Sequence, residues 1–131
     1  MMRQSYETYK QQLVMTMTQA EMLTMLYDGI LKEIYIVRQA FLLEPKDLAI
    51  INKGLQKAQR ILNYLIASLD TKYDVAIGLL SLYDYCGWVL TQANIKKDPE
   101  GLEDVEEIIA ELKESYISAD RNLRMTQRAN A

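Results

Sequence analysis

The sequence holds no histidine, one cysteine, two prolines and five glycines in 131 residues. Each scarcity closes a route. Without histidine the chain lacks the commonest general base near neutral pH, the commonest metal ligand, and the Glu-x-x-His pair of di-iron bundles. The lone Cys86 cannot form an internal disulfide, which fits a reducing compartment. So few prolines and glycines leave too little turn chemistry for a many-stranded β protein. No uncharged apolar run reaches the roughly 18 residues of a membrane span, and Asp84 interrupts the longest one. Met1 to Val14 is polar, carries Glu7, and has none of the apolar core of a secretory signal. Neither glycine-rich phosphate loop, G-x-x-x-x-G-K-[ST] or G-x-G-x-x-G, occurs. The net charge of −3 comes from 15 basic and 18 acidic side chains spread along the chain, so there is no basic face for nucleic acid. These absences predict a cytoplasmic protein with no cofactor, no metal, no membrane insertion and no nucleic-acid partner.

What is present is helical periodicity. Half of the residues are hydrophobic and a quarter charged, enough for one domain with a real core. Apolar residues recur at alternating steps of three and four in four segments. The seams are Leu23, Tyr27, Ile30, Ile34, Val37, Phe41; then Ile51, Leu55, Ala58, Leu62, Leu65, Leu69; then Ala76, Leu79, Tyr83, Cys86, Leu90, Ala93; then Leu102, Val105, Ile109, Leu112, Tyr116, Ala119. None fits the period of two that a strand needs. Thr18 and Glu21 make a capping box for the first helix. Pro45 and Asp47, then Asp70-Thr71-Lys72, punctuate the next boundaries. Asp98-Pro99 reads as an N-cap with proline at the first helical position.

These signals predict a single all-α domain over residues 1–131, an antiparallel up-down-up-down four-helix bundle, because short connections force neighbours antiparallel. The helices are expected at about 19–43, 47–69, 73–96 and 99–120. Residues 1–17 are expected to form a flexible N-terminal arm and 121–131 a polar, basic tail. No internal repeat is read beyond the helical period.

The chain carries more apolar surface than such a bundle requires. A second stripe on the first helix comprises Met22, Met25, Gly29, Ile36, Ala40 and Leu43, with Gly29 offering a dent for close approach. A second stripe on the third helix comprises Tyr73, Ile77, Leu80, Trp88 and Ile95, with Asp84 among them. Large apolar patches mark interaction sites, and Met and aromatic residues are favoured there. The methionines also crowd the first 25 positions, where an adaptable thioether suits varied contacts. Two uses follow from the residues alone: self-association as a homo-oligomeric structural bundle, or the holding of an apolar client. A third reading, a small helical enzyme of chorismate-mutase type, needs cations aimed into a cavity. Lys32, Arg38, Lys57, Arg60, Lys96 and Lys97 all fall off the core seams. Cys86 sits on a core seam as a structural thiol, and no catalytic residue is assigned.

Several strings resemble one known family, the flagellin export chaperones (FliS). They are Tyr6-x-x-Tyr9-Lys10-Gln11-Gln12 with Val14-Met15-Thr16, and Leu26-Tyr27-Asp28-Gly29 in the first helix. Ala58-Gln59 and Ser68-Leu69-Asp70 follow in the second. Leu82-Tyr83-Asp84-Tyr85 with Leu90 and Ala93-Asn94 follow in the third, and Leu102-Glu103-Asp104-Val105 with Leu112 in the fourth. Each is short, but their order and spacing cover about residues 6 to 118. Cys86-Gly87-Trp88 departs from the family's Met and paired arginines.

The resemblance implies a cytoplasmic bacterial chaperone, not an enzyme, that binds the disordered C-terminal segment of flagellin. It also implies that the client is kept from premature polymerisation and passed to the type III export gate. The chaperone is expected to be a monomer or weak dimer when client-free. Client contacts are expected at Tyr6, Tyr9 and the two second stripes. The arm is expected to fold over the client's groove and compete with it. Deleting residues 1–17 should therefore tighten client binding in a titration; unchanged or weaker binding rejects the competition.

Overall fold

The computed structural model describes residues 3–5, 8 and 19–130. Tyr6, Tyr9, Thr18 and most of the expected arm lie outside the described residues. Four long helices follow one another: α1 Gln19–Phe41, α2 Leu48–Ala67, α3 Asp74–Lys96 and α4 Leu102–Ala129. Among the described residues there is no strand.

Every neighbouring pair runs antiparallel, and side-chain bonds fix the direction. Along α1 and α4, Glu21 meets Arg124, Asp28 meets Lys113 and Arg38 meets Glu106. Between α2 and α3, Asn52 accepts from Asn94 while Gln59 donates to the Gly87 carbonyl and to Thr91. Each helix packs against two others, in the ring α1–α2–α3–α4. The α3–α4 contact is the slightest of the four. It gathers where Tyr85 faces Asp104 and Val89 faces Gly101.

The core is formed by the residues of the four seams. Tyr27, Ile30, Ile34 and Val37 meet Ile51, Leu55, Leu62 and Leu65, then Tyr83, Cys86 and Leu90, then Leu102, Val105 and Ile109, all essentially inaccessible. Among the described residues, the core holds two buried phenols. Tyr27 and Tyr83 share a hydrogen bond of 2.6 Å across the bundle from α1 to α3, and the Tyr116 ring lies 6.0 Å from that of Tyr27. A buried hydroxyl without a partner is costly, so the pair satisfies itself. Burial, then the bond to Tyr83, holds the Tyr27 phenol far above its ordinary pKa.

The helix ends refine the expectations. Asp47, read only as a boundary residue, caps α2 and accepts from the Ile50 amide at 3.1 Å. Asp98 does not cap α4. Its carboxylate takes the Glu100 amide at 2.9 Å in a tight turn, and the cap is Gly101 at φ 87°. A Cβ at Gly101 would stand 2.8 Å from a Val89 methyl, so only glycine lets α4 start this close to α3. Residues 121–129 are helix rather than tail. No glycine or proline stops them, and Arg124 pairs with Asp120 at 3.1 Å and reaches Glu21 at 3.3 Å.

Tyr83→Phe should cost about 1–3 kcal/mol in chemical denaturation, because it strands the Tyr27 hydroxyl. Adding Tyr27→Phe should recover most of that loss. Simple additivity of the two changes would show that the hydroxyls do not act as a pair.

Candidate client-binding surface

The two second stripes fare differently. On α1, Ala40 is only 3% exposed and belongs to the core. Gly29 is half-buried, and the dent it makes is filled from within: its Cβ position lies 3.0 Å from the Ile61 methyl of α2. Met22 is half-buried, Met25 and Ile36 are exposed at the edge, and Leu43 is exposed just past the end of α1. Of the expected α1 stripe, Ala40 is thus core and Gly29 lies on the flank that packs on α2, while Met25, Ile36 and Leu43 stay exposed. A bundle helix with two neighbours buries more than one seam.

On α3 the stripe stays uncovered. Ile77 is 54% exposed, Trp88 62% and Ile95 72%, with Tyr73 exposed at the N-cap. Leu80 is half-buried, and Asp84 is exposed with no hydrogen bond or ion pair among the described residues. Because α4 approaches only the far half of α3, Val75 and Leu82 are exposed too. Periodicity did not single these two out, since they flank the core seam on the side turned away from the outer stripe and toward α4. Their signal was that α3 is apolar on nearly every side, with Asp74, Asp84 and Lys96 its only charged residues.

α3 is rigidly held. Tyr83 is bonded to Tyr27, Gln59 grips the Gly87 carbonyl at 3.2 Å, and the αL residue Lys97 ends the helix with its amide on Ala93. A shallow hollow of about 250 Å³ opens beside Trp88, between Tyr85, Ala93, Gly101 and Asp104. A larger one, about 580 Å³, lies at the end of α1 between Tyr35, Leu42, Pro99 and Glu106. Exposed Leu48, Ile50 and Tyr64 on α2 were also not singled out from sequence.

The chemistry of these surfaces is that of contact. Among the described residues no charged side chain is buried. Arg38, at the larger hollow, is tied to Glu106 at 2.8 Å, and the other weighed cations are exposed or half-buried. Neither hollow therefore offers the buried cations that a dianion-binding helical enzyme requires. Burial pushes the Cys86 thiol up to about 11, which keeps it protonated and unreactive. No helix among the described residues is long and apolar enough to cross a membrane.

The described residues thus form a helical bundle with an apolar face exposed along α3 and no group of side chains that could hold a metal ion. The comparisons name the family. The model of "Flagellar protein FliS" matches residues 2–123, and the chain belongs to the FliS family of non-enzymatic secretion chaperones. It is 34% identical to the flagellar secretion chaperone FliS of Bacillus subtilis strain 168 over 119 residues, which span 91% of this chain and 88% of the relative. It is 33% identical to the chaperone of the same name from Salmonella typhimurium over 106 residues, 79% of this chain and 77% of the relative.

Trp88→Ala and Ile36→Asp should leave the melting temperature within a degree or two of the parent, since neither side chain is buried. A large drop would place these residues in the core.

Proposed function

We propose that this chain binds the disordered C-terminal segment of flagellin in the bacterial cytoplasm, keeps it from polymerising early, and delivers it to the flagellar export gate. The observation that supports this most is α3. A helix apolar all round is ordinarily buried on all sides, yet α3 leaves Ile77, Trp88 and Ile95 in solvent. From Tyr73 to Ile95 the stripe runs about 33 Å at 1.5 Å per residue, long enough for a client helix of some 20 residues.

The mechanism is masking by mass action. An amphipathic client segment lays its apolar face along α3, reading it at i, i+3, i+4 and i+7. The client bears the ordering entropy, so the apolar contact must be extensive. No nucleotide is needed, because release follows when the export apparatus takes the client. The client-free chaperone is a monomer or weak dimer.

Calorimetric titration of the full chain with the C-terminal segment of the same organism's flagellin tests this. We expect saturable one-to-one binding, a large negative heat-capacity change and a gain of helix by circular dichroism. Trp88→Ala should weaken binding at least tenfold while the protein stays folded, as expected for an aromatic anchor worth more than about 1.4 kcal/mol. Absence of binding, with residues 1–17 present or deleted, overturns the reading.

A further inference from the structure

α1 and α3 carry the same triplet, Leu26-Tyr27-Asp28 and Leu82-Tyr83-Asp84, and the two tyrosines that meet are 56 positions apart. That offset matches the helices along their length. Buried Ile30, Ile34 and Val37 correspond to buried Cys86, Leu90 and Ala93. The bundle thus contains a repeat that the hydrophobic period alone conceals. Each aspartate follows its tyrosine by one residue, so both sit at the same angle around their helices.

Their surroundings differ. Asp28 is held by Lys113 of α4 at 2.7 Å, and that hydrogen bond raises the ammonium's pKa. Asp84 has no cation among the described residues and is the sole charge between Asp74 and Lys96. The outer positions of α1 are polar, with Glu21, Lys32 and Gln39 exposed. The matching positions of α3 are the exposed Ile77, Trp88 and Ile95. α3 therefore repeats the outer face of α1 with its neighbours made apolar and the bridging cation left out. Anything that covers Ile77, Trp88 and Ile95 also removes water from Asp84. Covering a carboxylate without a partner is costly, whereas a partner's cation offsets that loss.

We propose that the segment bound along α3 carries a lysine or arginine that pairs with Asp84, filling the place that Lys113 fills for Asp28. The inference rests on the reading of α3 as the client face, and it adds the chemistry of the client. The segment is an amphipathic helix whose apolar side flanks one basic residue. Trp88, one turn beyond Asp84, offers its ring face to the same cation. A segment with an acidic residue at that point is rejected by repulsion, which gives the face selectivity that apolar contact alone lacks.

The test titrates the full chain with the flagellin C-terminal segment at low and high salt. It compares the parent, Asp84→Asn and Asp28→Asn, with circular dichroism to confirm folding. Asp84→Asn should weaken binding about five- to thirtyfold and flatten its salt dependence. Asp28→Asn, which breaks only an internal bridge, should leave affinity unchanged. One Lys→Gln or Arg→Gln change in the client should reproduce the loss and add nothing on top of Asp84→Asn. If Asp84→Asn binds as the parent does while Trp88→Ala fails, the face stands and the pairing is overturned. If the parent itself does not bind, the client reading falls and this inference with it.

Discussion

The bond between the Tyr27 and Tyr83 hydroxyls is the constraint on which the arrangement turns. Two phenols are buried among aliphatic side chains, and each is the other's partner. The pairing spans the diagonal of the ring, so it sets the heights of α1 and α3 relative to each other. Seams of leucine, isoleucine and valine tolerate small slides, because apolar packing is not directional. A hydrogen bond of 2.6 Å does not. With α1 and α3 locked, α2 and α4 fill the two remaining corners, and the polar bridges of Gln59, Asp28 and Arg38 secure their register.

The short motifs shared with the family gain a physical meaning from this frame. In Leu26-Tyr27-Asp28-Gly29, the tyrosine makes the diagonal bond, the aspartate binds α4 through Lys113, and the glycine admits Ile61 of α2. Gln59 of the Ala58-Gln59 pair joins α2 to α3. Each of these residues joins one helix to another. The strings through which the resemblance was legible therefore speak to the fold, while the exposed face of α3 lies mostly beside them.

That division accounts for what was readable in advance. The four seams were legible because burial on one side leaves a period in the chain, and nearly all of their residues are buried or half-buried, with Ala119 on α4 exposed. The α3 stripe was legible because Trp88 and Ile95 have no reason to recur on an outer face. The α1 stripe was misread at Ala40 and Gly29, since a period shows which side of a helix is apolar but not how many neighbours it meets. The extent of α4 was misread as well, because a run of arginines, asparagine and glutamine looks like tail until Arg124 is seen bridging Asp120 and Glu21. The α4 cap was misplaced at Asp98 because the close approach of Val89 to Gly101 is a tertiary fact with no local signature.

The fixed attachment of α3 has a thermodynamic consequence. Tyr83 and Gly87 are bonded to α1 and α2, so a segment docking along α3, as proposed, would meet a face already formed. Almost all of the entropy lost on contact is then lost by the incoming chain. A segment already inclined to be helical loses less than one that is not. Such a surface ranks the chains it meets by their own readiness to fold.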